Sequence, residues 1–427
     1  MTFLEDLAAR RRFGMKPGLD SIRAVCARLD NPQERFRAIH VAGTNGKGAV
    51  CAMLDAALRA PAGAEPGARI GRYTSPHLVR LNERFSLDGA PVDDATLERL
   101  SKRVSQVLVP HPSSLIPELT FFEALTAVAF LLYAEAHVDW AILECGLGGR
   151  LDATNVCRPA LCVITRIGLD HCTWLGDTVE AIAAEKAGIV KPGVPVVLGR
   201  NEPSVRRVVE RRANELGAPF FYAPEMAEES EIPAGFPLAG TFNRENAVTA
   251  IAALKALGRP SLEGLSRVAW PGRFQRVGDF IVDGAHNPPA ARALSEALRE
   301  DCRKSGCSSE KRYSLIAGFC GDKDVGQVLA ILAPLVGKAF AVRTNNPRSL
   351  SAEDAAAKMR AAGMDAVACV SLRTAIRQAA QTPADGLRPV TLVCGSLFLA
   401  GEALVALGAY PESADRFDLP EALQEDR

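Results

Sequence analysis

Gly43-Thr-Asn-Gly-Lys-Gly48 sets three glycines and one lysine in a short run that can cradle phosphate. Small residues let successive backbone N–H groups turn toward an anion, and a helix starting there adds partial positive charge. Lys47 can then reach the terminal phosphates of a nucleotide. The usual phosphate loop continues Gly-Lys-Ser/Thr, and that hydroxyl contacts Mg2+. Here Gly48 and Ala49 follow the lysine, and neither carries a hydroxyl. Taken alone, the segment is also compatible with an ordinary strand-to-helix glycine turn. A bound cation would need its oxygen from elsewhere in the chain.

Candidates stand at the ends of apolar runs. Glu144 closes Trp140-Ala-Ile-Leu-Glu144 and is followed by Cys145-Gly-Leu-Gly-Gly-Arg150. His171 ends Gly168-Leu-Asp-His171, and Ser75 lies in the proline-containing segment Tyr73-Thr-Ser-Pro-His77, where it could supply the hydroxyl absent at Ala49. Mg2+ prefers oxygen ligands and retains waters, so a carboxylate with a hydroxyl suits it, whereas histidine is a less typical ligand. Individually these residues read as a helix-cap acid, a hydrogen-bonded loop histidine and a turn former. Jointly, each beside a strand end near a phosphate loop, they favour a site. Lys186, in Glu185-Lys-Ala-Gly188, reads from composition alone as a solvated helix lysine.

The elements that must position these residues alternate. Residues 37–43 form a strand, Ala49 to about Ala60 a helix, Phe121 to His137 a long helix and Trp140–Glu144 a strand. Then come strand Leu161–Thr165, helix Val179–Ala187 and strand Val194–Leu198. Such alternation predicts a parallel, doubly wound sheet, here of the P-loop NTPase-like α/β class. The pattern breaks into Gly, Pro and Ser near Gly258–Gly272. Strands Phe280–Val282, Tyr313–Ala317, Ala339–Val342 and Val390–Cys394 then alternate with helices in a second, smaller, Rossmann-like α/β unit. The expected domains are 1–268 and 269–427. Ala62–Ala68 reads as a surface connection, and the acidic stretch after Tyr410 as a loosely held tail.

Composition narrows the function. At 427 residues the chain suits two or three domains of roughly 150 residues each. Fifty basic residues balance fifty acidic ones, which argues against a general nucleic-acid or membrane-surface binder. Eleven cysteines without a C-x-x-C pair fit a reducing, cytoplasmic setting better than a disulfide framework. The start lacks an apolar leader. The most apolar stretch, Ala124–Ala134, is shorter than the about 20 residues a membrane span needs and reads as a buried helix.

Several segments together resemble a known family. They are His40-Val-Ala-Gly-Thr-Asn-Gly-Lys-Gly48, Tyr73-Thr-Ser-Pro-His-Leu78, Asn82-Glu-Arg84, Leu119-Thr-Phe-Phe-Glu123 and Leu143-Glu-Cys-Gly-Leu-Gly-Gly-Arg-Leu-Asp-Ala-Thr-Asn155. Gly168-Leu-Asp-His171, Glu185-Lys-Ala-Gly-Ile-Val-Lys-Pro192, Pro271-Gly-Arg-Phe-Gln275, Asp283-Gly-Ala-His-Asn-Pro288 and Gly395-Ser-Leu-Phe398 extend the series. In order and kind they resemble the signatures of folylpolyglutamate synthase/dihydrofolate synthase, of the Mur-type peptide-ligase superfamily.

The resemblance implies an ATP- and Mg2+-dependent, ADP-forming ligase that joins L-glutamate to dihydropteroate or a folate. It implies nucleotide contacts at Gly43, Thr44, Asn45, Gly46, Lys47, Gly48 and Ala49, and at Asn246, Arg273 and Asp283. It implies magnesium ligands at Ser75, Glu144 and His171, and a carbamylated Lys186 that serves as a further ligand. His286 resembles a histidine beside the phosphates, completing a catalytic set with Lys47 and Lys186. Gly18, Leu19, Asp20 and Ser21, Thr120, Phe121, Phe122 and Glu123, and Leu151, Asp152 and Ala153 match segments that hold dihydropteroate. Domain 1–268 would then bind ATP and the pterin, and domain 269–427 would contribute to glutamate and nucleotide binding. The chain departs from the family pattern at Ala49, and at Thr241-Phe-Asn243 where a His-Gln pair is common.

The implied chemistry is coherent. A carboxylate becomes a good acyl donor once the γ-phosphoryl group of ATP is attached, and an amine can then displace phosphate. Phosphoryl transfer between anions needs chiefly positioning and charge neutralisation, and water must be kept from the intermediate. A peptidoglycan-precursor ligase is the nearest alternative, but only 42 residues precede Gly43, too few for a nucleotide-sugar domain by ordinary size. A P-loop switch protein would not need the second α/β unit. The expected protein is a monomer that acts on small molecules.

Overall fold

Parallel strands covered on both faces are mostly apolar runs, and Arg37-Ala-Ile-His-Val-Ala42 follows this with His40 as its one polar residue after Arg37: every residue after Arg37 is buried. In the computed structural model, which describes residues 18–60, 67–108, 119–259, 261–304, 313–321, 323–381 and 390–410, this run is strand β1. The strands that follow are β2 (Ile70–Tyr73), β3 (Phe85–Leu87), β4 (Ala90–Pro91), β5 (Trp140–Glu144), β6 (Pro159–Ile164), β7 (Val196–Leu198) and β8 (Phe220–Tyr222). They form one sheet in the order β4-β3-β2-β5-β1-β6-β7-β8. From β2 to β8 every pairing is parallel, and β3 and β4 add an antiparallel edge.

Helices cover both faces of this sheet. On one, Asp20–Arg28, Asp94–Gln106 and Phe121–Glu135 pack into a core with Ile22, Leu97, Phe130 and Tyr133. Further along the same face, Val179–Ala187 and Pro203–Glu215 pack into a second core with Ile182, Val196 and Val209, and helix Lys47–Arg59 covers the opposite face, where its Asp55 meets Arg72 of β2. Helix Phe121–Glu135 is buried from Glu123 to Ala134, as a helix apolar on nearly all sides requires; the polar Glu123 and Thr126 within that span are hydrogen-bonded to backbone. Its Tyr133 ring lies flush against β2, since a Cβ on Gly71 would approach it to 2.4 Å. The helix starts with a capping box: Thr120 Oγ1 accepts from Glu123 N–H, and Glu123 Oε2 accepts from Thr120 N–H at 2.8 Å.

The second sheet holds β9 (Gln275–Val277), β10 (Phe280–Val282), β11 (Tyr313–Ala317), β12 (Val336–Ala341), β13 (Asp365–Ala368) and β14 (Val390–Cys394). Its order is β13-β12-β11-β14-β10-β9, parallel throughout except for β9. The chain forms two compact units. One takes the described residues up to Pro237 with Arg244–Ala269, and the other takes Leu238–Asn243 with the described residues from Trp270 onward.

The α/β class and the alternation agree with the sequence reading. Strands β2, β3, β4, β8, β9 and β13 did not stand out there, because they are short or lie near the edges, where apolar runs are brief. The expected tail after Tyr410 and most of the 62–68 connection lie outside the described residues. Thr120→Ala removes the side-chain half of the capping box. It is expected to cost about 1 kcal/mol, read from the denaturant midpoint at unchanged slope.

Candidate active site

Register brings the chemical residues to one edge. Tyr73 of β2 pairs with Leu143 of β5, Glu144 of β5 with Val41 of β1, and Ala42 of β1 with Ile164 of β6. Ser75, Glu144, Gly43 and Thr165 therefore leave neighbouring parallel strands at their carboxyl ends, where open α/β sheets bind ligands.

The phosphate loop is held from beneath. Thr44 and Asn45 N–H donate to the Arg166 carbonyl at 2.9 and 3.2 Å. Thr165 Oγ1 donates to Asn45 O at 2.7 Å, and Thr44 Oγ1 pairs with the backbone of Gly168. Two glycines are required by their surroundings. A Cβ on Gly43 would fall 1.9 Å from Thr165 Oγ1, and one on Gly46 would fall 2.3 Å from Asn246 Oδ1, with Gly46 φ at +87°. Gly46 caps helix Lys47–Arg59, with Gly48 and Ala49 in its first turn. Asn246 is thus set against the loop by helix Thr241–Ala256.

Charge gathers at the same edge. Glu144 is buried, its Oε2 accepts from Ser75 N–H at 3.0 Å, and its Oε1 lies 3.8 Å from Lys47 Nζ. Lys186 is only 4% exposed, and its Nζ donates to Gly43 O at 2.8 Å. It is not the solvated lysine that composition suggests. Burial first, and the neighbouring Lys47 charge second, push its amine down to about 7. His171 has a left-handed backbone, with φ at +52°, opens the short helix Cys172–Leu175 and lies beside Asp170. Among the described residues, no group of three His, Cys, Asp or Glu side chains is arranged to hold a metal. The oxygens at hand are those of Ser75 and Glu144. They suit Mg2+, which keeps several waters, and an ammonium at Lys186 does not.

The segments matched to the acid substrate have varied surroundings. Gly18 and Leu19 lead into helix Asp20–Arg28, whose Asp20 is exposed and Ser21 buried. The Phe122 ring lies 5.9 Å from that of Tyr73 and leaves no room for a Cβ on Gly146, while Arg84 sits over Phe121. Thr120 and Glu123 form the capping box already described. Leu151 is partly exposed and Ala153 buried. Asp152 is buried and accepts from the N–H groups of Gly146, Leu147 and Thr154 and from Thr154 Oγ1. Burial pushes its carboxyl up while those donors pull it down.

In the second unit, Asp283 follows β10. Its two oxygens accept from Phe274 and Ala285 N–H at 2.8 Å each, and burial raises its carboxyl against the pull of Arg273. Arg273 donates to Gly272 O at 3.2 Å, and His286 Nδ1 lies 2.8 Å from Gly284 O. Sequence reasoning did not single out Thr165, Arg166 or Thr154. Each works through long-range contacts that leave no local spacing signal.

A nucleotide-phosphate loop and a second α/β unit whose residues 272–397 match the family described as Mur ligase, glutamate ligase domain, define an ATP-dependent glutamate ligase. The chain is 36% identical to the dihydrofolate synthase/folylpolyglutamate synthase of Bacillus subtilis over 381 residues, covering 81% of this chain and 85% of the relative. An Escherichia coli structure in complex with DHPP and ADP matches with a TM-score of 0.81 at 29% identity, over 96% of this chain and 98% of that one. A bifunctional folylpolyglutamate synthase/dihydrofolate synthase with Mn, AMPPNP and L-Glutamate bound matches with a TM-score of 0.78 at 32% identity, over 92% and 95%. The chain belongs to the dihydrofolate synthase/folylpolyglutamate synthase family. No helix among the described residues is long and apolar enough to cross a membrane.

Gly46→Ala forces an L-residue into left-handed backbone and against Asn246. We expect a stability loss of about 1–2 kcal/mol and weaker ATP binding by calorimetry. Lys186 allows a pH test. Its folded value of about 7 lies below its ordinary 10.5, so between them the unfolded chain binds more protons. The penalty for burying the ammonium is full below pH 7 and is relieved as pH rises toward 10.5. Urea midpoints in CO2-free buffer should therefore rise with pH across this window, by at most about 1.4 kcal/mol per unit. Lys186→Met should lack that slope.

Proposed function

We propose that the chain is both a dihydrofolate synthase and a folylpolyglutamate synthase, with nucleotide phosphates on Gly43–Ala49, Lys47 and Asn246. Ser75, Glu144, His171 and a carbamylated Lys186 would hold Mg2+, which when bound supplies charge neutralisation. One observation carries this reading: the phosphate loop, the Ser75–Glu144 contact and the buried Lys186 amine converge at adjoining strand ends. An amine held near 7 is largely neutral in mildly alkaline solution. Its nitrogen can add to CO2 and lose a proton, giving a carbamate anion that suits the site as an ammonium does not.

In the reaction, an oxygen of the acid substrate's carboxylate takes the γ-phosphoryl group as the Pγ–O bond to ADP breaks. Lys47 and the loop amides hold the phosphates through this transfer. The amine of L-glutamate then attacks the acyl carbon, phosphate leaves, and the amine's surplus proton is lost as the amide forms. We assign the acid substrate to Gly18–Ser21, Thr120–Glu123 and Leu151–Ala153, where Phe121 and Phe122 offer flat faces to a heterocycle. The second unit is assigned L-glutamate, on the support of the glutamate-ligase family match over 272–397. Arg273, Asp283 and His286 keep the nucleotide roles that the resemblance implies. A cytoplasmic monomer is the matching setting, and the described cysteines, all free thiols, are compatible with a reducing compartment.

The test is ADP release and product mass with ATP, Mg2+ and L-glutamate, offering dihydropteroate and tetrahydrofolate separately. Both acids should give glutamyl products, and ADP release should require acid and glutamate together. Release that needs neither would overturn the ligase reading, and product from a single acid would overturn the dual one. Ser75→Ala should lower turnover at least about tenfold, since an oxygen near the transferring phosphoryl group is worth several kcal/mol.

A further inference from the structure

His40 is a fully buried histidine on β1 that the chemistry above does not use. Its Nε2 lies 2.7 Å from Thr154 Oγ1 and 3.1 Å from Cys145 Sγ, while its Nδ1 is buried with no hydrogen-bond partner. The direction of the chain follows from counting protons. Thr154 has one O–H, and it donates to Asp152 Oδ1. The carboxylate is the nearer of the two acceptors of that hydroxyl, Cys145 Sγ lying at 3.6 Å; with the O–H on Asp152, Thr154 Oγ1 accepts from the imidazole, which places the proton on Nε2 and leaves Nδ1 a bare lone pair. Burial holds the ring neutral, with its titration pushed down to about 3.

An acceptor left without a partner inside a protein costs stability, so an apolar side chain would suit this strand position better on packing grounds. What the histidine contributes is one directed N–H. That N–H orients Thr154, and Thr154 helps to fix Asp152. The other oxygen of Asp152 holds Gly146 and Leu147 N–H at 2.8 and 2.9 Å. Gly146 in turn lies so close to the Phe122 ring that a Cβ would approach it to 2.7 Å. The far end of the same loop is bolted down separately: Lys191 Nζ donates to Asn155 Oδ1 at 2.7 Å, and Arg150 N–H to Glu185 O at 2.8 Å. At the near end, Cys145 N–H donates to Val41 O of β1 at 2.9 Å, and beyond that point the His40–Thr154–Asp152 chain ties Gly146 and Leu147 to the same strand.

We propose that His40, acting through Thr154 and Asp152, is a positioning residue that sets the loop 146–153 and the facing Phe122 for the acid substrate. The inference rests on the assignment of these segments to the acid substrate made above. It concerns substrate placement, not phosphoryl transfer, so its signature is a split between two Michaelis constants.

The experiment measures KM for tetrahydrofolate, KM for ATP and kcat in Thr154→Val, which keeps the shape and loses the hydroxyl. It also measures them in Thr154→Ser, which keeps the hydroxyl, and in His40→Gln, whose amide can present an N–H near Nε2. Losing a hydrogen bond to a charged group predicts a rise in KM for the acid of about tenfold or more in Thr154→Val. KM for ATP should stay within about twofold, and Thr154→Ser and His40→Gln should lie closer to the wild type. His40→Phe combined with Thr154→Val should be no worse than either alone, because both break one chain. Should Thr154→Val not fold, Thr154→Ala carries the same prediction. An unchanged KM for the acid overturns the proposal, as do equal losses for acid and ATP, or Thr154→Ser behaving like Thr154→Val. A wild type that forms no glutamyl product from either acid instead overturns the assigned function, so the two failures are distinct.

Discussion

Everything at the site depends on the parallel register of β2, β5, β1 and β6. Parallel neighbours end on the same side of a sheet, so residues far apart in the chain leave their strands together. The pairings of Tyr73 with Leu143, Val41 with Glu144 and Ala42 with Ile164 determine that Ser75, Glu144, Gly43 and Thr165 share an edge. A slip of one residue on any of these strands would exchange its faces and carry the following loop away from its partners. The buried apolar runs that hold the register are thus what gathers these polar residues at one edge.

The same edge is expensive in charge. Burying an ionised group is costly unless it is paired or hydrogen-bonded, and the molecule meets this demand with backbone partners as well as ion pairs. Glu144 accepts from Ser75 N–H, Lys186 donates a hydrogen bond to a loop carbonyl, and Asp152 is surrounded by donors from its own loop. Behind β2, Asp55 is buried between Arg59 and Arg72, with Oδ···Nε distances of 2.6 and 3.5 Å. Backbone partners move with the strand that carries them. Charges satisfied this way therefore stay in place only while the register does.

The second unit repeats the principle on a smaller sheet. Asp283 follows β10, which pairs parallel with β14 and antiparallel with the edge strand β9, and uses both oxygens to hold the two loops that meet there, while Arg273 tempers the charge. A buried carboxylate that serves as a brace between loop amides is therefore common to both units, in Asp152 and Asp283. Their motifs catch the eye in the sequence as candidate ligand contacts, and the geometry shows that their oxygens already have partners.

Much of this was legible from the amino acids alone. The alternation of apolar runs with helical segments determined the α/β class, because burial on both faces demands continuous hydrophobic strands, and β5, β10, β11 and β14 lie at the bounds read for them. The glycine spacing around Lys47 and the acid at the end of β5 marked the candidate site, since turn chemistry and strand ends are local properties. Short edge strands and the excursion of residues 238–243 into the second unit had no such mark. Only the tertiary structure decided that Lys186 is buried against the carbonyl of Gly43, 143 positions away, and that His40, Thr154 and Asp152 form one chain. Whether a polar side chain is solvated or enclosed depends on which distant elements pack over it, and no local pattern of residue types records that.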